Sequence, residues 1–96
     1  MGVKKREVKR MLKQLRQIRF EREVKKVNEL KERIENLKEH KKFVEELARD
    51  YLRKGFKLNE KGLVEQANEQ FELHERELEE VKTIEKQIKK LEKRLK

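Results

Sequence analysis

The chain has 96 residues, 51% of them charged and 33% hydrophobic, with no Cys, no Pro, three Gly and a formal net charge of +9. Without Cys there is no disulfide and no thiolate metal site, and the apolar fraction is too small for a thick globular core. Glu, Lys, Leu and Arg dominate and apolar residues recur at steps of three and four, which points to long helices rather than to disorder. The same mixture of Lys, Glu and Arg resembles thermophile usage, in which ion pairs are less costly to desolvate at high temperature.

The first twenty residues, MGVKKREVKRMLKQLRQIRF, carry eight cations (Lys4, Lys5, Arg6, Lys9, Arg10, Lys13, Arg16 and Arg19) against one acid, Glu7. Their +7 leaves only +2 for the other 76 residues. Val8, Met11, Leu12, Leu15 and Ile18 recur at helical spacing, so residues 1–20 are expected to form a basic amphipathic helix. No Gly or Pro breaks the passage through Phe20, where Phe20, Val24 and Val27 replace the earlier stripe. One continuous helix with a rotating apolar face is expected, and a bend into two helices is the alternative.

From Val27 onward the heptads are regular, with Val27, Ile34, Lys41 and Ala48 in one seam position and Leu30, Leu37, Val44 and Tyr51 in the other. Charge pairs four residues apart (Glu21 with Lys25, Glu29 with Arg33, Glu45 with Arg49) are expected to solubilise the outer face at ~0.2–0.5 kcal/mol each. The segment LRKGFKLNEKG is the one break. There Gly55 and Gly62 allow left-handed backbone and Asn59 offers a cap for a following helix. A second seam follows through Val64, Ala67, Phe71, His74, Leu78, Val81, Ile84, Ile88, Leu91 and Leu95. On its outer face Glu72 with Arg76, Glu85 with Lys89 and Glu92 with Lys96 repeat the charge pairing.

Two periodic stretches around a Gly/Asn segment predict an αα-hairpin. A turn centred near Asn59 would set position i against about 118 minus i, placing His74 across from Val44 and Lys96 across from Arg22. The second arm would then end where the basic stretch begins. The expected architecture is all-α: an antiparallel helical hairpin, coiled-coil in character, over residues 21–96 with its turn near 55–62. An N-terminal basic amphipathic helical overhang, residues 1–20, projects from it, and the whole assembles as a dimer.

Basic residues on a helix neutralise phosphates and release condensed counterions, giving salt-sensitive affinity without sequence preference. Lys5, Lys9, Arg10, Lys13, Arg16 and Arg19 are the expected phosphate contacts, and the expected partner is DNA or RNA. The order of basic helix and heptads resembles the layout of basic leucine zippers. The chain departs from that pattern by folding back through a hairpin and by having no base-reading motif. The competing reading is a structural or adaptor coiled coil that binds proteins. An anionic membrane fits less well, because the apolar face has no Trp and its aromatic, Phe20, lies at the end.

Catalysis is poorly provided for, and no enzyme and no cofactor are expected. The chain has no Cys and no Ser, and its hydroxyl and Asp inventory is Thr83, Tyr51 and Asp50, too little for a nucleophile-base-orienter set. His74 in the seam and His40 on the facing arm could reach one metal, but a polar seam residue that fixes register is the reading favoured over a zinc site. Val8, Met11, Leu15 and Ile18, with Phe43 and Leu47 near the turn end, are the expected oligomer interface. Leu52, Phe56, Leu63 and Leu73 add to the apolar surface beside the turn. No apolar run has the length of a membrane span or signal core, and Arg6 breaks the myristoylation pattern that Gly2 would begin. A soluble cytoplasmic protein is therefore expected.

Overall fold

The described residues form two α-helices, α1 over Lys5–Glu60 and α2 over Val64–Leu95, and no strand occurs among them. The computed structural model describes residues 5–96; Gly2 and Lys4, to which two of the expectations above refer, lie outside the described residues. The 56 residues of α1 include one Gly and no Pro, and their β-branched residues are scattered, so nothing local competes with helix. Helix α1 passes through Phe20 unbroken, as the absence of a breaker implies.

The chain divides into two units, Met1–Glu32 and Arg33–Lys96. In the second, the end of α1 and the whole of α2 form a helical hairpin. Its core is a thin seam of Ile34, Val44 and Ala48 from α1 with Ala67, Val81, Ile84, Ile88 and Leu91 from α2. These positions all belong to the two expected seams, although Val64 and Leu78 of the second seam are exposed, and there is one addition: Gly55, seven residues beyond Ala48, is also buried. It faces Phe71, and a Cβ at this position would lie 2.5 Å from the Phe71 ring carbon Cε1. Phe71 in turn meets Phe56 edge-on, with ring centroids 5.5 Å apart and planes at 67°. Gly55 is therefore a packing residue inside the helix and does not open the turn.

The turn lies at Lys61–Gly62–Leu63, and Gly62, at φ 80°, is its left-handed residue. Leu63 donates its N–H to the Leu58 carbonyl and Gly62 donates to that of Asn59, both at 3.0 Å. This is the Schellman arrangement, which satisfies carbonyls that the end of α1 would otherwise leave open. Asn59 contributes its carbonyl from within α1 and does not cap α2. Helix α2 begins after Leu63, whose backbone carbonyl accepts from Ala67 at 2.9 Å without a side-chain cap.

A turn centred three residues later than expected changes the pairing. His74 faces Ala48 rather than Val44, and His40 meets Glu80 while Lys41 meets Glu85. Paired positions add to between 120 and 127, not to about 118. Burial accordingly starts late in α1: Leu30 is half-buried, Ile34 is the first buried residue, and Val27, expected in the seam, stays 39% exposed.

The ion pairs also differ from those expected. Lys41 occupies a seam position and spans 3.2 Å to Glu85 on α2 and 3.7 Å to Glu45 on its own helix. Its two acids are those expected to pair with Lys89 and Arg49. A lysine at the seam reaches both carboxylates because its long stem lies along the apolar contact while the ammonium emerges at the edge. The hydrogen bond to Glu85 holds the Lys41 ammonium above its ordinary pKa, against partial desolvation and with help from the charges of Glu85 and Glu45.

Candidate nucleic-acid interface

In the first unit every described residue from Lys5 to Glu29 is exposed. At about 100° of rotation per residue, Lys5, Lys9, Lys13, Arg16 and Arg19 fall within roughly 120° of arc on α1. Arg10 lies further round the same side. Val8, Met11, Leu15 and Ile18 occupy the adjoining arc, 43%, 60%, 56% and 44% exposed. The helix thus presents two neighbouring faces, one cationic and one apolar.

Phe20 falls inside the cationic arc, between Lys9 and Lys13 in rotation, and at 66% exposure is the most exposed large hydrophobic residue described. In sequence Phe20 marks the change of stripe and the aromatic end of the apolar face. Its angular position was already available from its spacing of four from Arg16. An aromatic ring among cations is the combination by which proteins hold unpaired nucleotides, the cations tracking phosphates and the ring stacking on a base.

The histidines hold no shared site. The Nδ1–H of His74 donates to the Ala48 carbonyl at 2.7 Å, and His40 Nε2 lies 3.4 Å from Glu80 Oε1. Each ring is engaged across the hairpin, and the described residues contain no cluster of three or more His, Cys, Asp or Glu able to hold a metal. The His74 bond joins a half-buried side chain to the backbone of the facing helix, which ties that helix to one register. Phe43 and Leu47 lie in the hairpin, Phe43 at 62% exposure and Leu47 half-buried, while Phe56, Leu63 and Val64 are 55%, 42% and 54% exposed beside the turn.

Glu77, one turn from His74 on α2, is partly withdrawn from water, and desolvation raises its carboxyl above the ordinary 4.5, aided by hydrogen bonding and repulsion from Glu80. A carboxyl whose pKa is higher folded than unfolded favours the fold below the unfolded value and loses that contribution as pH rises through the folded one. Replacing Glu77 with Gln is therefore expected to raise the melting temperature at pH 7, with the gain vanishing below about pH 4.5. Thermal unfolding of parent and variant at both pH values measures this. An equal gain at both would mean that packing, not charge, separates them.

No protein-family model matches this chain, and neither a curated protein nor a solved structure matches it. Among the described residues, no helix is long and apolar enough to cross a membrane.

Proposed function

We propose that the chain is a non-catalytic nucleic-acid-binding protein that contacts phosphates through Lys5, Lys9, Arg10, Lys13, Arg16 and Arg19. The observation that carries this reading is the exposed cationic arc of α1, which gathers most of the chain's net charge on one helical segment. Six cations on one helix can follow a phosphate backbone without reading base edges, because phosphate contacts position a protein and carry no sequence information. Binding of labelled 20-base-pair duplexes with unrelated sequences tests the reading. Affinities should agree within about threefold between sequences, since each base-specific contact would separate them by ~1–3 kcal/mol.

A second reading, a structural coiled coil that assembles through its apolar faces, is favoured by the exposed row Val8, Met11, Leu15 and Ile18. A second copy is the natural cover for such a row, because two-fold homo-oligomers are the commonest assemblies. In this reading Phe43 and Leu47 extend the contact between copies. Sedimentation at high micromolar concentration should then show at least a dimer. A monomer with residues 5–20 helical would dismiss it.

A further inference from the structure

Two grooves between α1 and α2 of the helical hairpin differ in charge. One is lined by Lys38, Lys41, Lys42 and Lys89 together with five glutamates, so its charges are balanced internally. The other is lined by Arg33, Lys90 and Arg94, with Asn36, Gln87 and His40, and contains no carboxylate. Lys90 and Arg94 are four apart on α2, so they sit side by side, and neither has an acid three or four residues away. Among the described residues, none of these three cations ends within 4.0 Å of a carboxylate.

Like charges gathered along a helix contact oppose its closure, and neighbours at this spacing repel each other. We infer that this groove is a binding site for phosphate oxyanions, separate from the cationic arc at the start of α1. Two guanidinium groups supply planar donor forks suited to phosphate, Lys90 adds a point charge, and the amides of Asn36 and Gln87 add neutral donors. Leu37 and buried Leu91 form the apolar floor, which displaces water from one side of a bound anion and strengthens its attraction to the cations. The chemistry suits several phosphates in a row, on a polynucleotide or a free oligophosphate, and does not depend on residues 5–19 being a nucleic-acid interface.

Inorganic tripolyphosphate and a single-stranded oligonucleotide distinguish the two sources. Tripolyphosphate in excess is expected to raise the melting temperature of the full chain by roughly 6–11 °C, as a ligand of the folded state does at ten times its Kd. The effect should persist in the variant with Lys9, Arg10, Lys13 and Arg16 changed to Gln, and disappear when Arg33, Lys90 and Arg94 are changed to Gln. Without ligand the groove variant should melt within a few degrees of the parent, since the repulsion removed is offset by the loss of a favourable cation, Arg94, from the last turn of α2. Amide chemical shifts of the unaltered chain give a check that needs no variant, and tripolyphosphate should move those of residues 33–40 and 87–94. An oligonucleotide that moves the same amides in the Lys9, Arg10, Lys13, Arg16 variant identifies a polynucleotide as an occupant, whereas a response to tripolyphosphate alone identifies a free oligophosphate. Absence of any shift at those amides, or a groove variant that keeps the full thermal effect, would overturn the inference and leave the reading of α1 untouched.

Discussion

Replacing Lys9, Arg10, Lys13 and Arg16 together with Gln is expected to weaken binding to duplex DNA or RNA about 100-fold near 50 mM salt, while the hairpin melts within a few degrees of the parent. Each lost phosphate contact removes close to one released counterion, so the slope of log affinity against log salt should become shallower by about 3.6. Stability should hardly change, because Gln is a straight-chain helix former like Lys and Arg, and all four side chains are exposed. Sequence discrimination should be unaltered. Titration of parent and variant against the same labelled duplex, with thermal unfolding of each, measures both effects. Equal affinity at equal salt would move the site elsewhere on the chain and bring the adaptor reading forward.

Substituting Leu at Gly55 should have the largest effect on the fold. The Phe71 ring already occupies the space a side chain would need, with Cε1 and Cδ1 at 2.5 and 2.7 Å from the position of a Cβ. Overpacking of this extent costs about 3 kcal/mol, equivalent to a fall of roughly 12–24 °C in melting temperature for a domain of this size. Ala is the informative contrast. Its gain in helix propensity over Gly, ~1 kcal/mol, offsets a modest displacement of the Phe71 ring, so that variant should melt close to the parent. Adding Phe71→Ala to Gly55→Leu should recover at least half of the lost stability, because the new side chain then fills the vacated space. A Gly55→Leu protein that melts like the parent would show that the two helices do not approach closely there.

The helices and the buried seam residues were legible because period is a property of sequence: Ile34, Val44 and Ala48 of the first arm and Ala67, Val81, Ile84, Ile88 and Leu91 of the second are buried at seam positions, whereas Val64 and Leu78 of the second seam stay 54% and 41% exposed. The turn was legible only approximately. Gly55 and Gly62 are both compatible with left-handed backbone, and what separates them is a long-range contact, the approach of Phe71, which local sequence does not display. The pairing error followed directly, since displacing a turn by three residues moves every partner across the hairpin. Exposed ion pairs were the least legible. Several partners lie within reach of one lysine at similar energy, so Lys41 bonds Glu85 and Glu45 where spacing alone gave those acids to Lys89 and Arg49. For the candidate site, the cationic run could be read directly, whereas the position of Phe20 among the cations emerges only when the residues are placed around the helix. The unbalanced groove at Arg33, Lys90 and Arg94 depends on the pairing of α1 with α2, so no single stretch of sequence reveals it.

The most direct test of the phosphate-binding reading is the affinity of the full chain for a random-sequence duplex measured from 50 to 200 mM salt. Six phosphate contacts should give a linear fall of log affinity against log salt with a slope near −5, a loss of about 10³-fold across that range. Affinity that stays constant across the range, or no binding at the lowest salt, would contradict it.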